Sequence, residues 1–150
     1  MSKFDSIDKI LDFAIKEEEA AHDFYMDLAA KMEFPAMKEV FTSFAKEEKG
    51  HKAKLLNIKE GKYLMESREK VVDLKIADYL VDVEPSGDLD YQKALILAMK
   101  KEKSAFKMYS DLASRVDGEL QKTFRSLAQE EAKHKLRFEI EYDDQINKEN

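Results

Sequence analysis

The two halves of this chain repeat each other, and this repeat constrains the fold more than any other feature. Residues 18–30 (EEAAHDFYMDLAA) match residues 102–114 (EKSAFKMYSDLAS) at six of thirteen positions, and residues 41–51 match residues 124–134 at six of eleven. A repeat fixes the architecture, because each copy is one structural unit that packs against the other. The chain therefore contains one unit twice.

Each repeat unit is predicted to be a helical hairpin. Four segments carry apolar residues at spacings of three and four over more than fifteen residues, the pattern of amphipathic helices. They run from about Ser6 to Met32, from Pro35 to about Ile58, from about Leu89 to Ser114 and from about Glu119 to Tyr142. We predict an all-α fold, a four-helix bundle of two duplicated hairpins with a long crossover connection, in a single domain over residues 1–150.

The connection between the hairpins, Lys59 to Asp88, is long enough to cross the bundle. About thirty residues span roughly 100 Å when extended, whereas a helix of about 24 residues is about 36 Å long. The connection carries more apolar side chains than a solvated crossover needs: Val71, Val72, Leu74, Ile76, Tyr79, Leu80 and Val81. We therefore predict a homodimer whose interface includes this connection. The alternative is that these side chains cover their own bundle.

Composition excludes several classes of function. The chain has no cysteine, which rules out thiolate zinc sites, cysteine-held iron–sulfur centres and cysteine nucleophiles. Its net charge is −6 with both signs interspersed, so no basic face for nucleic acid is expected. No apolar stretch approaches the roughly 20 residues of a membrane span, and the first residues do not resemble a secretory signal. We expect a cytoplasmic protein that binds neither nucleic acid nor membranes.

Each predicted helix carries one glutamate on its apolar face. These residues are Glu18, Glu48, Glu102 and Glu131. The second and fourth helices add a histidine three residues later, which points to the same side of the helix: His51 and His134. A single E-x-x-H is usually a solvated pair of neighbours. Four glutamates on four inward faces require another explanation, because carboxylates are almost never fully buried unless they are paired.

Two divalent metal ions would pair these carboxylates. Their charge balances that of the four glutamates, which would otherwise repel one another and resist ionisation. The two neutral histidines add one imidazole nitrogen for each metal, a ligand that suits iron and is tolerated by manganese or zinc. We therefore predict a two-metal site formed by Glu18, Glu48, His51, Glu102, Glu131 and His134.

This ligand set resembles that of the ferritin-like di-iron carboxylate proteins, in which two helices give one Glu each and two give Glu-x-x-His. Within that group, the chain resembles the rubrerythrins through residues 18–25, 48–51, 102–109 and 131–134, and the four-helix layout covers nearly the whole chain. The resemblance implies two iron ions per site, with manganese or zinc also compatible. It further implies peroxide or dioxygen as the substrate and a separate electron-donor protein such as rubredoxin.

The chain departs from the rubrerythrins in two respects. Full-length rubrerythrins append a cysteine-ligated rubredoxin module, and this sequence has no cysteine. They also carry a further carboxylate on the third helix, where this chain has Ala105. That carboxylate is associated in the family with a redox-dependent iron shift, so Ala105 puts this shift and efficient peroxide turnover in question. The remaining symmetric set also resembles the centres of bacterioferritin.

Three residues near the predicted ligands have two interpretations each. Tyr25 and Tyr109 each follow a ligand glutamate by seven residues, so we expect them to hydrogen-bond the metal-bound carboxylates. The alternative is a core tyrosine whose hydroxyl is bonded elsewhere. His22 lies within ligand reach of Glu18, but its repeat counterpart is Phe106, so we interpret it as a core or rim residue.

Other polar residues close to the ligands are expected to have no role in the site. The glutamates next to the ligands point about 100° away around the helix and are expected to be solvated: Glu17, Glu19, Glu47 and Glu130. Residues 143–150 form a polar tail that is expected to fray.

The sequence supports three hypotheses for function. The leading one is a di-iron oxidoreductase similar to rubrerythrin, a peroxidase that reduces hydrogen peroxide with electrons from an external donor. The second is a ferroxidase or iron-handling protein, in which the ferrous pair is itself the substrate. The third is a non-catalytic helical module whose metal is structural or absent. No G-x-S-x-G motif and no phosphate-binding glycine loop competes with the metal site.

Overall fold

The computed structural model describes residues 7–61 and 90–149, and their side chains up to residue 147. Within these ranges the chain forms four helices and no strand: α1 (Ile7–Lys31), α2 (Pro35–Lys59), α3 (Tyr91–Ser114) and α4 (Gly118–Glu149). The prediction of an all-α four-helix bundle is confirmed. Short connections at residues 32–34 and 115–117 join the helices into two hairpins.

Each hairpin packs closely on itself and more loosely on the other hairpin. α1 packs on α2 and α3 packs on α4 along their lengths, whereas α1 meets α3 at a few positions. Connections as short as these place neighbouring helices antiparallel. The looser packing between the hairpins leaves space along the middle of the bundle for polar side chains.

Local sequence signals explain where the helices begin. α2 starts at Pro35, which has no backbone N–H and is therefore suited to the first turn. α3 starts at Tyr91 rather than near Leu89, because the Asp90 carboxylate accepts a hydrogen bond from the backbone N–H of Lys93 at 2.8 Å. Gly118 has a φ of 64°, in the left-handed region that favours glycine, and makes the turn into α4.

α4 is longer than the sequence analysis predicts. The expectation that residues 143–150 fray is wrong as far as Glu149, because α4 remains helical to that residue. The apolar face of α4 continues through Tyr142 and Ile146, which are four residues apart and partly buried. Packing of these two side chains extends the helix beyond the predicted end at Tyr142.

Two apolar clusters fill the bundle on either side of its middle. The Phe138 cluster includes Tyr25, Phe41, Phe44, Leu95 and Phe138. The Phe124 cluster includes Leu11, Leu55, Tyr109, Phe124 and Leu127. Each fully buried side chain of this kind contributes about 1.5–3 kcal/mol through removal from water. The stretch of each helix between the two clusters carries the inward glutamates.

The apolar connection on which the homodimer prediction depends, residues 71–81, lies outside the described residues. The homodimer therefore stays a prediction, as does the crossover path. In the described part of the chain, no helix is long and apolar enough to cross a membrane.

Candidate metal centre

The structure brings the six predicted ligands together between the two apolar clusters. All four helices contribute, and each of the six residues is 5% exposed or less: Glu18, Glu48, His51, Glu102, Glu131 and His134. The inward face of each helix places them there, because the same face buries apolar residues one or two turns away in both directions. The cluster is enclosed by the bundle and lies away from its surface.

Two overlapping groups of four residues each cover the cluster. One group is Glu18, Glu48, His51 and Glu131, and the other is Glu48, Glu102, Glu131 and His134. In each group, one atom from every residue lies within 4.8 Å of the others. Both groups share Glu48 and Glu131, and each adds one further glutamate and one histidine. Such an arrangement could hold two adjacent metal ions with two carboxylates in common.

The histidines face the carboxylates through the same ring atom. His51 Nδ1 lies 2.8 Å from Glu131 Oε1 and 3.6 Å from Glu18 Oε1. His134 Nδ1 lies 3.2 Å from Glu48 Oε1 and 3.4 Å from Glu102 Oε1. The two imidazole rings are nearly parallel, with an interplanar angle of 4° and centroids 5.6 Å apart. The two halves of the cluster therefore follow the internal repeat of the sequence.

The unpaired atoms of the cluster fit a metal ligand set. Seven of its oxygen and nitrogen atoms are buried without a hydrogen-bond partner in the described structure, including Nδ1 of both histidines and both oxygens of Glu131. The 2.8 Å contact between His51 and Glu131 does not have the angles of a hydrogen bond. Buried polar atoms are almost always satisfied, and carboxylate oxygen with imidazole nitrogen binds iron, manganese and zinc. The cluster is thus able to bind metal.

Protons compete with metal ions for these residues. Burial, reinforced by the neighbouring carboxylates, raises the pKa of Glu131 well above 4.5. Burial also raises the pKa of Glu18, although the nearby imidazole of His51 opposes the shift. For His134, burial lowers the pKa, but the charge of Glu102 and the close contacts with Glu47 and Glu48 outweigh it and raise the pKa well above 6.5. Bound cations would favour the ionised carboxylates and the neutral imidazoles.

Two tyrosines donate hydrogen bonds to Glu102 and Glu18, the glutamates that each belong to only one of the two groups. The Tyr25 hydroxyl donates to Glu102 Oε1, and the Tyr109 hydroxyl donates to Glu18 Oε1, both at 2.5 Å. Each tyrosine thus reaches the glutamate of the opposite hairpin rather than the one on its own helix. Burial, followed by the charge of the bonded glutamate, raises the pKa of each tyrosine well above 10, so both hydroxyls keep the proton they donate.

Glu47 takes part in the site although the sequence analysis expects it to be solvated. It is partly buried, and its Oε2 lies 3.4 Å from Nε2 of His134 and 3.0 Å from Arg137 Nη1. The hydrogen bond from His134 is the main cause that lowers the pKa of Glu47 to about 2. A carboxylate on the outer nitrogen of a histidine fixes which nitrogen faces a metal. In the described part of the chain, the carboxylate contacts of His51 all involve its Nδ1.

The remaining residues near the ligands lie outside the cluster. Glu19 is exposed as expected, whereas Glu17 and Glu130 are partly buried and therefore only partly solvated. His22 is partly exposed and its Nδ1 lies 3.2 Å from Asp23 Oδ1. This position agrees with the interpretation of His22 as a rim residue.

Sequence signals for Glu47 were present but indirect. Glu47 directly precedes Glu48, and Arg137 follows His134 by three residues. Both residues therefore adjoin an E-x-x-H motif. Their contact joins α2 to α4, and the guanidinium of Arg137 also lies 4.4 Å from the ring centroid of Phe44. A contact between helices depends on how the two helices are rotated, which helical periodicity does not determine.

Comparison with known proteins agrees with this geometry. The family model described as Rubrerythrin matches residues 9–86 and 93–150, and thus nearly the entire chain. The comparison with curated proteins and the comparison with solved structures gave no match. Together with the four-helix bundle and the buried Glu/His cluster, the match shows that the chain belongs to the rubrerythrin family.

Proposed function

We propose that this protein is a di-iron oxidoreductase that reduces hydrogen peroxide with electrons from a separate donor protein. The observation that carries the proposal is the pair of overlapping ligand groups that share Glu48 and Glu131. A shared pair of carboxylates would hold two metal ions next to each other, which would suit a two-electron reaction. Membership of the rubrerythrin family supports the same chemistry.

The six clustered residues would hold the metals. Glu48 and Glu131 would contribute to both positions, Glu18 and His51 to one, and Glu102 and His134 to the other. A bound ferrous pair supplies the two electrons that, with two protons, convert hydrogen peroxide into two molecules of water. The separate donor then has to return two electrons for each turnover.

The protein's own contribution is a rigid and largely dry setting. The two apolar clusters lie on either side of the ligands and exclude water, which strengthens electrostatic interactions inside. The hydroxyls of Tyr25 and Tyr109 hold Glu102 and Glu18 in fixed orientations. Loss of such a contact commonly lowers metal affinity or activity by about 10- to 100-fold.

Electrons have to reach the site from outside the chain. The sequence has no cysteine, so it contains no rubredoxin-type iron centre of its own. We propose rubredoxin or a protein of similar potential as the donor. The homodimer and the cytoplasmic location are part of the same proposal and rest on the sequence analysis.

Iron handling is the second candidate function, and one observation favours it. Ala105 lines the cavity beside Glu18 and Glu48, where the rubrerythrins carry a further carboxylate. The absence of that carboxylate favours iron handling over repeated peroxide turnover. A non-catalytic module with structural metal is the third candidate, and it predicts no reaction with peroxide beyond that of the metal-free protein.

Peroxide consumption by the ferrous-loaded protein separates the three candidates. The protein is loaded without oxygen, given hydrogen peroxide and a chemical reductant, and assayed for peroxide consumed per chain, with metal-free protein as the control. The proposal predicts many turnovers per chain. Consumption that stops near one peroxide per iron pair despite the reductant favours iron handling. Consumption no greater than in the control contradicts both redox functions.

A further inference from the structure

A cavity between α1 and α3 connects the ligand cluster with the outside of the bundle. Its volume is about 150 Å³, which is room for several water molecules. Glu18 and Glu48 line its inner end, and Glu17 and Lys101 also line it. Glu17 and Lys101 are partly exposed, whereas Glu18 and Glu48 are 2% exposed or less. The cavity therefore runs from the surface to the buried ligands.

The two glutamates at the inner end of the cavity carry unsatisfied ligand atoms. Glu18 Oε2 and Glu48 Oε1 are buried and have no hydrogen-bond partner in the described structure. Glu48 belongs to both ligand groups and Glu18 to one of them. An ion at the inner end of the cavity therefore lies next to residues of both groups, and rotation of these two side chains would bring their oxygens to it.

Small side chains keep the cavity open. Ala21 on α1 and Ala105 on α3 both line it, together with Ser104. α1 and α3 pack on each other at few positions, so a larger side chain at either alanine would fill space that no other residue occupies. Ala105 is partly exposed, which places it along the path rather than at its buried end.

The charges along the cavity favour a cation. Three carboxylates line it, those of Glu17, Glu18 and Glu48, against the single ammonium of Lys101. A cleft with excess negative charge and low-dielectric walls raises the local concentration of cations and their rate of entry. A neutral molecule would gain nothing from this field, and an anion would be repelled.

We infer that this cavity is the route by which divalent metal ions enter and leave the ligand cluster, and that Ala105 sets its width. The inference rests on the proposed function, since it takes the cluster to be a metal site. Beyond the proposed function, metal ions then have a defined path to the cluster, the path favours cations, and one residue controls the rate of their exchange. Ala105 then controls the rate of metal exchange, although it supplies no ligand atom.

Cobalt(II) uptake by the metal-free protein tests the route. Uptake is followed by stopped-flow absorbance, and release is followed after addition of an excess of chelator. The larger side chain of Ala105→Phe should block the cavity. It is expected to slow uptake and release by the same factor, about tenfold or more, and to leave the equilibrium affinity unchanged. Ala105→Leu should give a smaller effect of the same kind. Ala53→Phe, the same substitution at an exposed position of α2, is the matched control and should keep wild-type rates.

Two charge variants test whether the electrostatic field along the cavity attracts cations, without narrowing the cavity. Glu17→Gln should slow cobalt uptake and Lys101→Gln should accelerate it, and both differences should shrink as salt is added. If Ala105→Phe does not fold, Ala105→Leu and these two variants carry the test.

Wild-type uptake rates in Ala105→Phe, or equal slowing in Ala53→Phe, would overturn the route. Faster release with weaker affinity in the Ala105 variants would overturn it as well, because it indicates a damaged site. Absence of cobalt binding by the wild type would contradict the metal centre, and the route with it.

Discussion

The Tyr109 hydroxyl of α3 donates a 2.5 Å hydrogen bond to Oε1 of Glu18 on α1. Tyr25 of α1 makes the same bond to Glu102 of α3, so each hairpin orients a carboxylate of the other. Both bonds are buried and lie at the edge of the ligand cluster. The pair couples the packing of the two hairpins to the geometry of the metal centre.

Tyr109→Phe is predicted to weaken metal binding about tenfold while leaving the fold intact, because loss of a bond that orients a ligand commonly has this effect. The side chain keeps its ring and its contact with Phe124. Titration with cobalt(II) measures the affinity. Tyr91→Phe is the matched control, since the Tyr91 hydroxyl donates to Glu141 away from the cluster at 2.9 Å. Equal affinities in the two variants would show that the Tyr109 bond does not orient a ligand.

Glu47→Gln is predicted to weaken one of the two metal positions. Glu47 contacts the outer nitrogen of His134, whereas the carboxylate contacts of His51 in the described chain involve its inner nitrogen. The variant should therefore weaken the position served by His134 by about tenfold and leave the position served by His51 unchanged. Calorimetric titration should show one weakened site and one site with the wild-type affinity. Glu130→Gln, at the equivalent position of the repeat, serves as the control and should retain the wild-type curve.

The metal-free protein is predicted to lose stability as the pH rises. The pKa values of Glu131 and Glu18 in the folded protein lie above 4.5, so their contribution is full below that pH and is lost as pH rises through the folded values. The raised pKa of His134 acts in the same direction above 6.5. Metal binding instead strengthens with pH, because the ligands must be deprotonated.

Thermal melts with and without metal measure this dependence. The gap between the two midpoints should widen from about pH 5 to about pH 8, since metal stabilises the folded state more as protons stop competing. A gap that stays constant over this range would mean that the carboxylates do not change protonation when metal binds.

A buried ion pair on α4 provides a test of packing that does not involve the metal. Lys135 and Glu139 are 3% and 1% exposed, and Nζ lies 2.6 Å from Oε1. Glu139→Leu removes the carboxylate of this pair and keeps the buried ammonium, so we expect the free energy of unfolding to fall, by at most about 3 kcal/mol. Adding Lys135→Met should recover most of that loss, because an apolar pair of similar size needs no desolvation of charge. Urea unfolding of the single and double variants decides this.

Sequence periodicity predicted the helices and the six clustered residues because both depend on spacing along the chain. Glu18 and Glu102 lie on apolar faces, and the repeat makes their equivalence visible. Which carboxylates are shared was not predictable, since it depends on how far each helix is rotated about its axis. The structure places Glu48 and Glu131 in both groups.

Contacts between helices account for the rest of what the sequence left open. The crossed bonds of Tyr25 and Tyr109 join residues 77 and 91 positions apart, which no local pattern relates. Glu47 meets His134 from another helix for the same reason. The end of α4 was missed because Ile146 continues the apolar face within a polar stretch, where composition alone predicts fraying.

Metal content of purified variants tests the two-metal centre most directly. Loaded with ferrous iron without oxygen and freed of excess metal, the wild type should hold about two irons per chain, one for each ligand group. Glu18→Ala removes a residue of one group and should leave about one iron, whereas Glu48→Ala and Glu131→Ala remove shared residues and should lose nearly both. Glu19→Ala, an exposed neighbour of Glu18, should retain both. Full iron content in Glu48→Ala and Glu131→Ala would contradict the shared-carboxylate centre.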